Sequence, residues 1–191
     1  MAIRLSISVV KQDPKVLITG QTSTTGSVIY HTTRTDEKER WEKIAARIDG
    51  DARNAIDIGC NRGAITRRAA DMGLFSIGID IEKENIKMAR KLTDNPNCHY
   101  FSQELNPESI NTIPNFDVGF VLAVFYHWGN QFGWSKAEAM LREVAMSTDQ
   151  LFIETECGFN KIKSERLDTD IDPEQALFNY FDKILPEALL D

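Results

Sequence analysis

The sequence predicts an α/β fold, a doubly wound and mostly parallel sheet with helices on both faces. Three observations carry this expectation. Short apolar runs alternate with amphipathic helical segments through the middle of the chain, which is the pattern of repeated βα units. The run 116–124 is apolar without alternation, as a central parallel strand covered on both faces must be. The apolar pair Ala55-Ile56 leads into Asp57-Ile58-Gly59-Cys60-Asn61-Arg62-Gly63, a strand that stops at a glycine loop and re-enters a helix. In such sheets ligands sit outside the carboxyl ends of the strands, and a loop poor in side chains lets the backbone approach them closely.

Near the N-terminus Ile3, Leu5, Ile7 and Val9 alternate with Arg4, Ser6 and Ser8, the period of a half-buried strand. Asp13-Pro14 then marks a turn, so an N-terminal β-hairpin or small sheet is expected. Asp36 with Glu39 three residues on is a helix-start signature, and Trp41, Ile44, Ala45 and Ile48 recur at helical spacing until Gly50. After Gly63 the pattern predicts a short helix to Met72, a buried strand over 75–79 closed by Asp80, and a helix carrying Ile86, Ala89 and Leu92. The turn Asn95-Pro96-Asn97 precedes a short strand over 98–101, and Pro114-Asn115 precedes the run 116–124. Ser135 and Glu138 form a capping box opening a helix with Ala137, Leu141, Val144 and Ala145 inward, and Leu151-Phe152-Ile153 make the next strand. Asp172 as cap and Pro173 at the first helical position start a last helix. Its Ala176, Leu177, Tyr180, Phe181 and Ile184 form one apolar stripe until Pro186.

A chain of 191 residues, 42% of them apolar, buries one substantial core, so a single domain over 1–191 is expected. Within it lie a β extension over 1–34, a core over 35–158, and a loop with a C-terminal helix over 159–191. The net charge of -7 gives no broad basic footprint, which disfavours nucleic acid as a partner. Cys60, Cys98 and Cys157 are odd in number and widely spaced, suggesting neither a disulfide framework nor a zinc cluster and fitting a reducing cytoplasm. His31, His99 and His127 show no metal-ligand spacing, so no metal is expected. No apolar run reaches membrane-spanning length and the start Met1-Ala2-Ile3-Arg4 lacks a signal-peptide layout, so a soluble chain without a membrane partner is expected.

The spacing Asp-x-Gly-x-Asn-x-Gly over 57–63 lacks the third glycine of the dinucleotide fingerprint, which argues against NAD. It resembles the first motif of class I S-adenosylmethionine-dependent methyltransferases, an acidic residue before a Gly-x-Gly-x-Gly loop, with Asn61 in place of the middle glycine. Gly78-Ile79-Asp80-Ile81-Glu82 resembles the second motif, and Asp80 lies about twenty residues past the loop, where an acidic residue takes both ribose hydroxyls of a nucleoside. The resemblance implies a Rossmann-like methyltransferase core with S-adenosyl-L-methionine as cofactor. It implies that Asp57 positions the loop and the methionine amino group, and that Gly59, Cys60, Asn61 and Gly63 line the cofactor. By the same resemblance Asp80 and Ile81 meet the ribose end, Glu104 with Leu105 or Phe101 meets the adenine, and Ala123 borders the site after the fourth core strand. Plainer readings stand beside these: Asp80 as a helix cap, Asp57 as a solvated strand-end carboxylate, Glu104 and Leu105 as ordinary loop and core.

The order Ala123-Val124-Phe125-Tyr126-His127-Trp128, a capped helix, then Glu154-Thr155 resembles a methyltransferase branch with a Tyr-His pair after strand four and Glu-Thr ending strand five. That branch includes wobble-uridine tRNA modifiers and enzymes associated with sugars or other small molecules, and the resemblance covers roughly residues 36–156. His127 is the candidate general base, because a near-neutral pKa suits removal of a proton from a hydroxyl or amine; otherwise it bonds loop backbone or lines the cleft. Glu154 is the second catalytic candidate. Strand alternation lets only one of Glu154 and Glu156 face the cleft, and either is otherwise a strand-end carboxylate. Trp128, Phe132 and Trp134 make either an apolar lid or core, and 160–172 either a solvated loop or a flap.

The function expected is methyl transfer from S-adenosylmethionine to an O or N acceptor on a small molecule or saccharide. The alternatives are a tRNA-modifying methyltransferase, a non-catalytic S-adenosylmethionine-binding regulatory module, and, last, an NAD-dependent oxidoreductase. The regulatory reading follows from the family's usual closing β-hairpin, for which this chain shows no obvious sequence.

Overall fold

Alternation along the strands decides the architecture. Ala55, Phe120 and Phe152 belong to one apolar cluster with Trp41, Ile65 and Ala69, while their neighbours Ile56, Val121 and Ile153 belong to another with Leu141, Val144 and Phe181. These three central strands are therefore buried on both faces, as strands of a covered parallel sheet must be.

The computed structural model describes residues 3–10, 37–156, 166–168, 170–171, 173–185 and 188–190. In chain order the elements are β1 (Ile3–Val10), α1 (Glu37–Ala45), β2 (Asn54–Ile58), α2 (Ala64–Asp71), β3 (Phe75–Asp80), α3 (Lys83–Lys91) and β4 (Cys98–Ser102). A 3-10 turn (Ile110–Thr112), β5 (Phe116–Leu122), α4 (Phe125–Phe132), α5 (Trp134–Met146), β6 (Thr148–Glu156), α6 (Pro173–Ile184) and β7 (Ala188–Leu190) follow. The strand order is β4-β3-β2-β5-β6-β1-β7, and all six pairings are parallel. From β2 the chain winds outward through β3 and β4, then crosses back to β5 on the other side of β2. The carboxyl ends of β2 and β5 thus flank the switch point where such sheets bind ligands.

Helices cover both faces, as expected. The cluster under α1 and α2, and a smaller one of Cys60, Ala70, Ile86, Ala89, Cys98 and Tyr100, lie on one side; α4, α5 and α6 share the large cluster on the other. The apolar stripe predicted for the last helix is buried throughout.

Several local expectations change. β1 is a strand, but it lies in the main sheet parallel to β6; the second arm of the expected hairpin falls in residues 11–36, outside those described, as does the cap Asp36. The Ser135–Glu138 capping box is not used. Helix α5 starts at Trp134 behind Gly133 and has no side-chain cap, while Glu138 accepts the Tyr180 hydroxyl at 2.9 Å and pairs with Arg166 at 3.5 Å. Glu138 thus serves contact with the last helix, because a buried phenol needs a partner more than an exposed helix start does. Helix α4 was not legible as a helix, and the short strand β7, parallel to β1, was not expected.

Candidate active site

The loop after β2 is built from left-handed backbone. Gly59, Asn61 and Gly63 have φ of 72°, 50° and 73°, and asparagine is among the few residues with a side chain that tolerates this region. Asn61 can therefore stand where the motif has a glycine. The amides of Gly59 and Cys60 both donate to the Ile79 carbonyl, at 2.8 and 3.0 Å, folding the loop onto the end of β3. A Cβ on Gly59 would overlap Val124, and one on Gly63 would overlap the Tyr100 ring. These glycines let the loop lie against β4 on one side and the turn after β5 on the other.

Asp80 and Asp57 organise this loop from the two strand ends. Asp80 is buried, and its Oδ2 accepts the Asn61 N–H at 2.8 Å while its Oδ1 accepts the Glu82 N–H at 2.8 Å and the Asn85 side-chain amide at 3.5 Å. It makes no cap bond to the first turn of α3, whose N-cap is Glu82, but it bonds the N–H of that residue and grips the loop. A carboxylate has about four lone-pair directions, so Asp80 retains one, and a second where the 3.5 Å contact of Asn85 gives way, for a vicinal diol. Asp57 is 4% exposed, so it is no solvated strand-end group. Its Oδ2 accepts the Thr66 hydroxyl at 2.6 Å and the Thr66 N–H at 3.1 Å. Burial pushes its carboxyl up to about 6, against the pull of the Thr66 bond and the Arg40 charge.

The other predicted cofactor residues divide. Ile81 is 54% exposed and Phe101 50% exposed, open apolar surfaces at the carboxyl ends of β3 and β4. Leu105 is instead packed into the large core cluster, and Glu104 accepts the Gln131 side-chain amide at 2.7 Å, tying the loop after β4 to α4. Cys60 is buried and burial raises its thiol far above the ordinary value, so it is a packing group here and no nucleophile. Ala123 has φ 61°, a strained setting for a residue with a Cβ, and its N–H is held by the Glu154 carbonyl at 2.8 Å.

His127 lies in the first turn of α4, just beyond the end of β5, with its N–H on the Val124 carbonyl at 2.8 Å. Its ring centroid is 4.0 Å from that of Tyr126, and the imidazole is solvent-exposed. Surrounding protein nevertheless lowers its pKa, favouring the neutral base. Glu154 is placed differently. It is 1% exposed, and its Oε2 lies 2.6 Å from Arg40 Nε on α1. It presents no surface to a diffusing acceptor and forms a buried ion pair. The Glu156 side chain lies outside the described residues. Trp128 and Trp134 belong to the core, with Phe132 packed against it, which settles the lid-or-core alternative toward core for all three. Of the stretch 160–172, residues 160–165, 169 and 172 lie outside those described.

Sequence reasoning missed Thr66 and Arg40. Thr66 lies three residues past Gly63 on α2, where a hydroxyl can turn back to the preceding strand end, and that spacing was a usable signal. Nothing in the sequence marked Arg40. Among the described residues no group of three His, Cys, Asp or Glu could hold a metal ion, and no helix is long and apolar enough to cross a membrane.

A parallel sheet of this order, with a left-handed glycine loop after its central strand and an acidic residue gripping that loop from the next strand, is the fold of class I S-adenosylmethionine-dependent methyltransferases. Residues 56–147 match the family model described as a methyltransferase domain, so this part of the chain is a methyltransferase domain, with S-adenosylmethionine as its cofactor. The nicotinamide alternative falls with that result. The chain is similar to the O-antigen chain terminator bifunctional methyltransferase/kinase WbdD of Escherichia coli, 27% identical over 123 residues, which are 61% of this chain and 17% of WbdD. It thus spans under a fifth of that relative's length. A crystal structure of monomeric WbdD is similar with a TM-score of 0.53 at 27% identity, over 58% of this chain and 29% of that one. The N-terminal domain of EvdMO1, solved with SAH bound, shares the fold with a TM-score of 0.51 at 19% identity, over 62% of this chain and 49% of that one.

Proposed function

We propose that the chain transfers the methyl group of S-adenosylmethionine to an oxygen or nitrogen acceptor on a small molecule or saccharide, with His127 as general base. The observation that carries this reading is the placement of His127: beyond the end of β5, exposed, and held toward its neutral form by its surroundings. A neutral imidazole there can take the proton released as a hydroxyl or amine is methylated. The similarity to an O-antigen chain terminator supports an acceptor built on saccharide.

The cofactor supplies an electrophilic methyl on a sulfonium. The chain's residues hold it: Asp80 offers its remaining lone pairs to the ribose diol, Asp57 its charge to the amino end, and Ile81 and Phe101 apolar surface to the adenine. The amides of Gly59, Cys60, Asn61 and Gly63 are bonded within the protein, so the start of α2 is what would receive the cofactor carboxylate. The rate advantage then comes chiefly from holding donor and acceptor in line, with His127 clearing the proton. Glu154 is assigned to positioning, because its carboxylate is enclosed with Arg40.

The test follows methyl-labelled S-adenosylmethionine in the presence of saccharide, small-amine and tRNA panels. Label on a saccharide or small molecule, lost in His127→Gln, supports the proposal. Label on tRNA alone, or undiminished turnover in a folded His127→Gln, contradicts it.

A further inference from the structure

The loop after β4 reaches a helix that its strand does not adjoin. β4 is an edge strand, with β3 and β2 between it and β5. Yet Glu104, two residues past the end of β4, accepts the side-chain amide of Gln131 at 2.7 Å, and Gln131 lies on α4, the helix that follows β5. The bond therefore spans the carboxyl ends of β3 and β2. It does so on the face opposite α2, because Leu105 shares a buried cluster with Phe125 and Trp128 of α4.

Both ends of this span are tied to the site. The Gln103 N–H donates to the Asp80 carbonyl at 3.0 Å, so the loop starts from the residue whose carboxylate grips the glycine loop. The Asn106 side chain accepts the Glu108 and Ser109 N–H groups at 3.1 and 3.0 Å, which folds the rest of the loop on itself. At the other end Gln131 stands one helical turn past His127, and residues four apart share a helix face. Short contacts thus run from Asp80 through Gln103 and Glu104 to the helix of the proposed base.

The Glu104–Gln131 bond is solvent-exposed, and Leu105 already attaches the loop to α4. An exposed polar pair beside a buried anchor contributes little to stability, since its loss strands no buried group. What the pair supplies is orientation. It fixes the rim of the wall that faces the glycine loop across the cofactor cleft.

We propose that Gln131 is a positioning residue of the cofactor cleft: by clasping Glu104 it holds the loop after β4 as the wall opposite the glycine loop and ties that wall to the helix of His127. The inference rests on the cofactor lying at the ends of β2 and β3, and the experiment separates the two claims.

S-adenosylhomocysteine is titrated calorimetrically into the full chain as wild type, Gln131→Glu, Glu104→Gln, Glu104→Gln/Gln131→Glu and Asp80→Ala, each checked by thermal unfolding. Gln131→Glu sets two carboxylates against each other where a hydrogen bond stood. Its affinity should fall about three- to tenfold, the scale of one hydrogen bond's net contribution, with the melting temperature unchanged. Glu104→Gln keeps an oxygen acceptor for the Gln131 amide and should bind as wild type does. In Glu104→Gln/Gln131→Glu the donor and acceptor exchange places at the wild-type total charge, so affinity should return to the wild-type value. Such a rescue is produced neither by a residue that only packs nor by one that touches the ligand itself. Undiminished affinity in Gln131→Glu overturns the inference, as does a double variant that binds no tighter than Gln131→Glu. In either case loss of binding in Asp80→Ala leaves the cleft itself standing. Undiminished binding in Asp80→Ala overturns the cleft and the inference together.

Discussion

The Tyr100 ring occupies the space that a side chain on Gly63 would need, and the Tyr100 hydroxyl donates to the Gly63 carbonyl at 3.2 Å. β4 thus supports the cofactor loop through a single aromatic side chain. Gly63→Ala is strained twice, by its left-handed φ of 73° and by the ring. The backbone effect alone costs about 1–2 kcal/mol, and overlap adds to it. Gly63→Ala/Tyr100→Ala should regain the overlap part relative to Tyr100→Ala alone, but not the backbone part. Thermal unfolding of the three variants checks this; Gly63→Ala melting with wild type would refute it.

Asp57 carries a stability cost. Its carboxyl is pushed up to about 6 from an ordinary 3.8, so between those values the folded chain holds a proton that the unfolded chain has lost. Stability from this group therefore falls as pH rises through that window, and the cost, about 3 kcal/mol as an upper figure, is fully present above it. Asp57→Asn keeps an oxygen for Thr66 and removes the charge. It should be at least as stable as wild type near pH 7.5, with a smaller advantage near pH 4, yet bind S-adenosylhomocysteine more weakly. Thermal unfolding at both pH values, paired with calorimetry, measures the trade; a less stable Asp57→Asn near pH 7.5 would contradict it.

With His127 as the proposed general base, its lowered pKa should set the acid limb of turnover. The neutral base persists below the pH at which an ordinary histidine protonates, so kcat should begin to fall only at more acidic pH. His127→Gln should lose about 10²–10⁴-fold in kcat and leave S-adenosylhomocysteine affinity unchanged. A pH–rate profile with a saccharide acceptor reports both.

Helix α6 stabilises the site from a distance. Phe181 is fully buried, with its ring 5.6 Å from that of Phe125, the residue that opens α4 two positions before His127. Phe181→Ala should cost about 3–5 kcal/mol in denaturant unfolding. Near-wild-type stability would mean that the last helix is not part of the core.

Much of the fold was legible because its signals are local. The loop from Asp57 to Gly63, the run 116–124 and Asp80 closing β3 each announce themselves within a few residues, and their spacing carries the cofactor class. Other features depend on contacts that local patterns do not encode. Helix α4 packs Gly129 against Trp134, so its apolar surface is set by an aromatic from the next helix and shows no clean helical stripe. Glu154 looked like a strand-end acid, and only β6 facing α1 shows that it meets Arg40. Glu138 had the spacing of a cap and was taken by Tyr180 and Arg166 from beyond residue 160.

The central claim is that S-adenosylmethionine sits at the carboxyl ends of β2 and β3, gripped by Asp80. Calorimetric titration of the full chain with S-adenosylmethionine, S-adenosylhomocysteine and NAD, in wild type and Asp80→Ala, tests it most directly. The account predicts binding of the first two and not of NAD, weakened about 10–100-fold in Asp80→Ala, the loss expected for charged hydrogen bonds to a diol. Binding of neither adenosyl compound to wild type, or undiminished binding to Asp80→Ala, would contradict it.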